Sequence, residues 1–322
     1  MNKTLRKLLT AIFATLLTIT SFVSLGHVAA QDDEAAVSDT LAVVIPAAEH
    51  GWLAGVAYYA EQKIEELGLE NYTIVTSSNV NEQASQLDEL IAQEVGAIVI
   101  LPHTDEVTLS AQKVLDADIP LIVFDRRVDV DYTAYVAGSN PQIGEFSADY
   151  LGEQLEGAGI IAILNNPSAG SVSSERVDEF KRVMEEDYPE IELIDFTVEN
   201  FTQETGLTAA TDLLTANPQI DAIFSIDDES SLGILQAIMD AQREDVRFLS
   251  GAGGNQAYFS EINDAEGINL FTATYSPAMI GDAIEVAFQI MNGEEVEKDQ
   301  IVEPTIVNKD NVADFLDADS PY

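Results

Sequence analysis

The chain contains no cysteine. That absence excludes disulfides, thiolate metal sites, cysteine nucleophiles and a lipid-modified cysteine anchor. At 322 residues the chain can build a core large enough to fold without such cross-links. Basic residues are also scarce: 14 Lys and Arg stand against 57 Asp and Glu, for a net charge of −43. A basic face for phosphates is therefore missing, which excludes nucleic acid as a partner and argues against anionic membrane surfaces. The acids are scattered and form no D-x-D-x-D-G calcium loop. They read as a solvated surface suited to saline or alkaline surroundings, where salt screens self-repulsion, with an acidic metal-binding surface as the other reading. Histidine occurs three times, at His27, His50 and His103. Such separation makes no zinc signature. A relay from His50 through an aspartate to a serine lacks the G-x-S-x-G elbow of serine hydrolases. After Val23 no uncharged run reaches the length of a membrane span.

What is present begins with a secretory signal. Lys3, Arg6 and Lys7 precede an apolar stretch from Leu8 to Val23, and Val28, Ala29 and Ala30 offer small residues for cleavage before Gln31. Removing those three basic residues leaves 11 against 57, near −46. The mature chain is expected to be soluble, with residues 31–38 an acidic, disordered lead-in.

Short apolar runs then alternate with helical patterns. Leu41–Pro46, Tyr72–Ser77, Ala97–Pro102, Ile119–Phe124 and Ala134–Gly138 read as strands. Between them, Trp52–Leu67 carries Trp52, Val56, Tyr59, Ala60, Ile64 and Leu67 at helical spacing, stopped by Gly68. Glu82–Val95 and Val107–Leu115 are the next helices. A second series of strands runs Gly159–Leu164, Ile191–Phe196, Asp221–Ile226, Val246–Ser250 and Asn269–Thr274, with helices near Ser173–Tyr188, Gln203–Ala216, Ser230–Ala241 and Gln256–Ile262. This alternation predicts an α/β fold of two similar doubly wound parallel-sheet lobes. The break falls at Ser139-Asn140-Pro141, where proline favours an extended crossing segment. Pro277–Met291 reads as a helix returning to the first lobe, followed by a short strand, Gln300–Pro304. The expected lobes are 39–139 with 276–304, and 140–275 with 305–322, joined by a hinge of several crossings.

Polar and aromatic residues gather just past the strands, where open α/β sheets bind ligands. Asp125 and Arg126 follow a buried strand; a carboxylate and a guanidinium fork together suit a vicinal diol, and equally make a solvated ion pair. Trp52 is the only tryptophan. It can lie against the C–H face of a sugar ring, or serve as the first core residue of its helix. Phe201 and Tyr275 are the other aromatic candidates. Arg176, at a helix start, can aim into a cleft or pair with Glu175 or Asp178 on the surface. Asp227 and Asn255 follow later strands, and His50 an early one. Gly251-Ala252-Gly253-Gly254 lacks the lysine of a phosphate loop and reads as a tight turn where backbone approaches a ligand or another loop. Arg126 and Arg176 against Asp125 and Asp227 leave a nearly neutral site, which fits a polyhydroxy ligand better than an anion.

These residues sit in segments that resemble the periplasmic sugar-binding proteins of the ribose-binding type, the solute receptors of bacterial ABC importers. The segments are TLAVVIPAAEHGWLAGVAYYAEQKIEELG, IPLIVFDRR, SSERVDEF and NPQIDAIFSIDDESSLGILQAI. The resemblance spans roughly 40–305. It implies two lobes joined by three crossings, a ligand enclosed as they close, and binding positions at His50, Trp52, Leu53, Asp125, Arg126, Arg176, Phe201, Asp227 and Tyr275. This chain departs from the family at His50, Asp227 and Tyr275, and Ala252 stands where the family has an aspartate, with Asn255 nearby. The expectation is a secreted receptor, without cofactor or metal and monomeric. It would capture a neutral monosaccharide or sugar alcohol and present its closed form to an ABC permease, or to a chemoreceptor. The alternative is a receptor for a furanose-like signal or sugar acid feeding chemotaxis or a sensor kinase. A regulator sharing these lobes lacks its basic helix-turn-helix here, and a glycosidase lacks its acid–nucleophile pair.

Overall fold

The structure, a computed structural model, describes residues 40–48 and 51–322. The signal segment, the acidic stretch 31–38 and His50 lie outside the described residues. Five strands open the chain: β1 (Leu41–Pro46), β2 (Tyr72–Ser77), β3 (Ala97–Ile100), β4 (Leu121–Phe124) and β5 (Ala134–Gly138). Among them lie α1 (Gly51–Leu67), α2 (Val80–Ala92) and α3 (Thr108–Asp116). Next come α4 (Asn140–Gln154), β6 (Ala158–Asn165), α5 (Ser171–Asp187), β7 (Glu190–Thr197), α6 (Gln203–Ala216), β8 (Ala222–Phe224) and α7 (Asp228–Asp240). The chain finishes with β9 (Phe248–Gly253), α8 (Gln256–Asp264), β10 (Asn269–Thr274), α9 (Ile280–Met291), β11 (Asp299–Val302) and β12 (Ile306–Asn308).

The strands form two sheets, ordered β11-β5-β4-β3-β1-β2 and β12-β10-β9-β8-β6-β7. All neighbours are parallel except β12, which runs antiparallel to β10. A parallel sheet needs helices on both faces, so its central strands are apolar throughout. In β1 the two-residue period sends Leu41, Val43 and Ile45 to one core, against α1 and α9, and Ala42 and Val44 to the other, against α2 and α3. β6 does the same in the second sheet: Ile161 and Ile163 meet α4 and α5, while Ala162 and Leu164 meet α6, α7 and α8. The result is the doubly wound two-lobed fold expected.

The chain passes between the sheets after β5, after β10 and between β11 and β12. The last two passages are bonded together, with Thr274 N–H donating to the Thr305 carbonyl (3.0 Å) and Thr305 N–H to Thr274 Oγ1 (2.8 Å). Three elements differ from expectation, the first being Gly251 to Gly253, which continue β9 alongside β10 instead of forming a tight turn. A helix, α4, begins directly at Asn140, with Pro141 in its first turn. Proline is well placed there because a first-turn N–H has no intrahelical acceptor; the crossing is only the residue or two before it. The strand β12 is three residues long and lies at a sheet edge, too short for its period to register.

Candidate functional site

Both sheets reverse their strand order beside the first strand of each lobe, and their carboxyl ends face one another. That placement follows the rule for ligand sites in open α/β sheets. Between them lies a narrow cavity of about 40 Å³. Trp52, Asp125, Arg126, Arg176, Phe201, Asp227 and Tyr275 line it, together with Ala169, Val172, Ala252, Gly253 and Tyr322.

Asp125 turns the chain out of β4 with a positive φ of 64°, a region that aspartate tolerates better than most residues. Its N–H donates to the Val136 carbonyl (3.0 Å), and its own carbonyl accepts from Tyr135 Oη (2.7 Å). Tyr275 Oη donates to Asp125 Oδ1 at 2.6 Å, and Arg126 Nε lies 3.8 Å from Oδ2. Burial pushes the Asp125 carboxyl above the usual range, against the pull of Arg126, the Tyr275 hydrogen bond and Arg176. Arg126 Nη1 donates to the His103 carbonyl (2.6 Å), past the end of β3. Its Nε is buried and has no hydrogen-bond partner among the described residues.

Arg176 points inward from the second turn of α5 and is 4% exposed. Its Nε donates to Asn140 Oδ1 (2.8 Å) and its Nη1 to the Ile226 carbonyl (2.7 Å). The guanidinium sits 4.7 Å from the Tyr275 ring centre, in cation–π geometry. It therefore takes the cleft position rather than a surface pairing. Gly144 makes this seat possible, because a Cβ there would lie 2.2 Å from the Arg176 carbonyl oxygen.

Trp52 packs on the first lobe's core and also reaches the cavity. Its ring stacks on Phe124 at 6.1 Å and 6°, and it also lines the cavity. Its Nε1 donates to the Tyr275 carbonyl (2.9 Å), so the ring is held in orientation. Phe201 lines the same cavity from the second lobe. Asp227 caps α7, accepting from Ser230 N–H at 2.7 Å. Burial pushes its carboxyl up to about 7; the Ser230 hydrogen bonds oppose this, and the charges of Asp228 and Glu229 add to it.

Two expected positions are not in the cavity wall. Leu53 packs in the first lobe's core with Val56 and Ala60. Asn255 spends its side-chain oxygen capping α8, accepting from Ala257 N–H (2.8 Å) and Tyr258 N–H (3.3 Å). Helix N-termini leave N–H groups unpaired, and asparagine is a preferred acceptor for them. Three further residues support the site. Asn140 orients Arg176. Fully buried Asp228 accepts from Gly254 N–H (2.6 Å), Asn255 N–H (2.9 Å) and Thr272 Oγ1 (2.6 Å), holding the glycine-rich end of β9 against the cavity. Glu229 accepts from Gly51 N–H (2.6 Å), tying α7 to the start of α1 across the cleft. A carboxylate beside a strand-end aspartate was the available signal for the last two.

The arrangement offers guanidinium and phenol donors, carboxyl acceptors and flat apolar rings around a small space. No described nucleophile–base pair faces it.

A family model described as periplasmic binding protein domain matches residues 41–295. The ribose import binding protein of Escherichia coli is 26% identical over 298 residues, covering 91% of this chain and 98% of that protein. The xylitol-binding protein of Mycolicibacterium smegmatis is 26% identical over 241 residues, 73% of this chain and 68% of that one. Among solved structures, an ABC transporter periplasmic solute binding protein from Actinobacillus succinogenes with bound D-allose superposes with a TM-score of 0.78 at 23% identity, covering 85% and 99% of the two chains. A solute binding protein from Bacillus halodurans with bound myo-inositol gives 0.79 at 21% identity, covering 89% and 99%.

Proposed function

The chain belongs to the periplasmic binding protein family, and from that premise we propose that it captures a neutral monosaccharide or sugar alcohol and hands it to an ABC importer. The observation that carries this reading is the mixture of hydrogen-bond donors and acceptors inside the cavity. Arg126 and Arg176 share the wall with Asp125, Asp227 and Tyr275, so it offers both hydrogen-bond donors and acceptors to hydroxyl groups. A neutral polyol satisfies such a wall, whereas a carboxylate or phosphate would leave a buried acid facing it. Trp52 and Phe201 would cover the apolar C–H faces. Similar proteins named for ribose import and xylitol binding support the ligand class.

The reading is binding without turnover. The ligand favours the closed lobes through contacts present only there. The closed form then offers both lobe surfaces to a permease. Export by the N-terminal signal belongs to the same reading. Among the described residues no helix is long and apolar enough to cross a membrane.

A thermal-shift screen of the chain from Gln31 onward tests it, with neutral monosaccharides, polyols, sugar acids and furanosyl compounds as separate sets. Ligand binding to the folded state alone stabilises by about 2.7 kcal/mol at a hundredfold excess over Kd. A rise confined to one or two neutral sugars or polyols is expected. A rise only with sugar acids or furanosyl signals would overturn the ligand class.

A further inference from the structure

Three strand ends at the cavity present polar side chains of their own: Asp125 after β4, Asp227 after β8 and Tyr275 after β10. The end of β9 presents only Ala252 and Gly253. That bare backbone is covered by a residue from far along the chain. After packing Phe315 on Phe259, the tail leaves α8 with Asp317 N–H donating to Gln256 Oε1 (2.8 Å). It then crosses to the first lobe, where Ser320 Oγ and Tyr59 Oη of α1 are hydrogen-bonded at 2.9 Å. Tyr322 follows and turns into the cleft, 4% exposed.

The ring occupies a slot between backbones of both lobes. A Cβ on Gly253 would stand 2.6 Å from Tyr322 Oη. One on Gly55 would come 3.2 Å from Tyr322 Cβ, and one on Gly51 3.3 Å from Cδ2. Any side chain at Gly253 would displace the phenol, and its φ of 153° already favours glycine. Yet Tyr322 Oη is buried with no hydrogen-bond partner among the described residues. A buried hydroxyl left alone is costly, and native structures seldom keep one without a reason. Arg126 Nε, on the same cavity wall, is in the same condition.

We propose that Tyr322 is a ligand-binding residue whose hydroxyl hydrogen-bonds a sugar or polyol hydroxyl in the interlobe cavity, supplying the polar group that the end of β9 lacks. The tail 317–322 is then a strap that carries a selectivity residue into the cleft while touching both lobes. Burial beside Asp228, Asp227 and Glu229 keeps the phenol protonated, so it can donate. This inference rests on the sugar-receptor reading above.

The test is titration calorimetry of wild type, Tyr322→Phe and Tyr322→Ala with D-ribose, xylitol, D-allose and myo-inositol, with the melting temperature of each ligand-free protein. Phenylalanine keeps the ring and removes only the hydroxyl. For each probe that wild type binds through this contact, Tyr322→Phe is expected to weaken affinity about tenfold, unequally between probes. The ligand-free melting temperature should stay level or rise, because an unpartnered buried hydroxyl has gone. Unchanged affinity in Tyr322→Phe would overturn the inference and leave the receptor reading intact. Uniform weakening accompanied by a lower ligand-free melting temperature would also overturn it, marking a purely structural strap. Any neutral sugar or polyol that raises the melting temperature in the screen above is titrated alongside these four, and wild type silent to that whole neutral set would overturn both readings. If Tyr322→Ala fails to fold, the phenylalanine variant decides alone.

Discussion

Asp125 in the first lobe and Asp227 in the second occupy matching places, each just past a buried parallel strand and each buried in the cavity wall. Their surroundings are opposite. Asp125 meets a phenol at 2.6 Å and a guanidinium at 3.8 Å, with Arg176 close enough to act on it. Asp227 meets the N–H of Ser230 and two further acids in sequence. The same strand-end geometry thus yields one aspartate embedded among cations and another poised near neutrality. Fold topology puts a carboxyl at each place, and the neighbours decide what it does there.

The largest expected effect comes from breaking the embedded side. Asp125→Ala leaves the Tyr275 hydroxyl without its acceptor and Arg126 and Arg176 facing no acid from β4. A loss of about 3 kcal/mol is expected, read from urea denaturation with unchanged m-value. A loss under half a kcal/mol would show that solvent already compensates these cations.

The second lobe is sharpened by pH. Folded Asp227 titrates near 7, while unfolded aspartate titrates near about 4. Between those values the folded state holds a proton that the unfolded state releases, so this group's contribution falls as pH rises through that window and levels off above about 7. Asp227→Asn keeps a helix cap and removes the titration. Relative to wild type, it should therefore gain stability progressively from pH 4 to 7, seen in melting curves across that range. Parallel pH profiles for the two proteins would mean that Asp227 is ionised throughout.

The smallest effect concerns the residue that adjoins the cavity without lining it. Asn255→Ala should cost about 1 kcal/mol through the lost cap of α8 and leave sugar affinity within about twofold. A tenfold loss of affinity would restore Asn255 to the binding set.

Much of the site was legible because parallel strands are buried on both faces and read as unbroken apolar runs. The polar residues that end those runs stand out: Asp125, Arg126 and Asp227 were visible for this reason. Arg176 and Trp52 were visible as residues with two readings. Local sequence could not choose between them, since stacking on Phe124 and the bond to Asn140 are long-range contacts. Asn255 carried two readings as well, since an asparagine after a strand can serve a ligand or a helix cap, and its oxygen caps α8. Tyr322 gave little notice; an aromatic after the acidic segment 317–321 was its sole signal.

By itself, then, the sequence determined the alternation of strand and helix, the two-lobed architecture and a polar, nearly neutral set of strand-end residues. All three follow from hydrophobic periodicity and from residue type, which are local properties. Tertiary structure alone decided which of those residues meet, that Asp227 holds its proton to near neutrality, and that the tail returns to the cleft over Gly51, Gly55 and Gly253. Burial, charge proximity and the fit of a ring against bare backbone arise only when distant segments pack together.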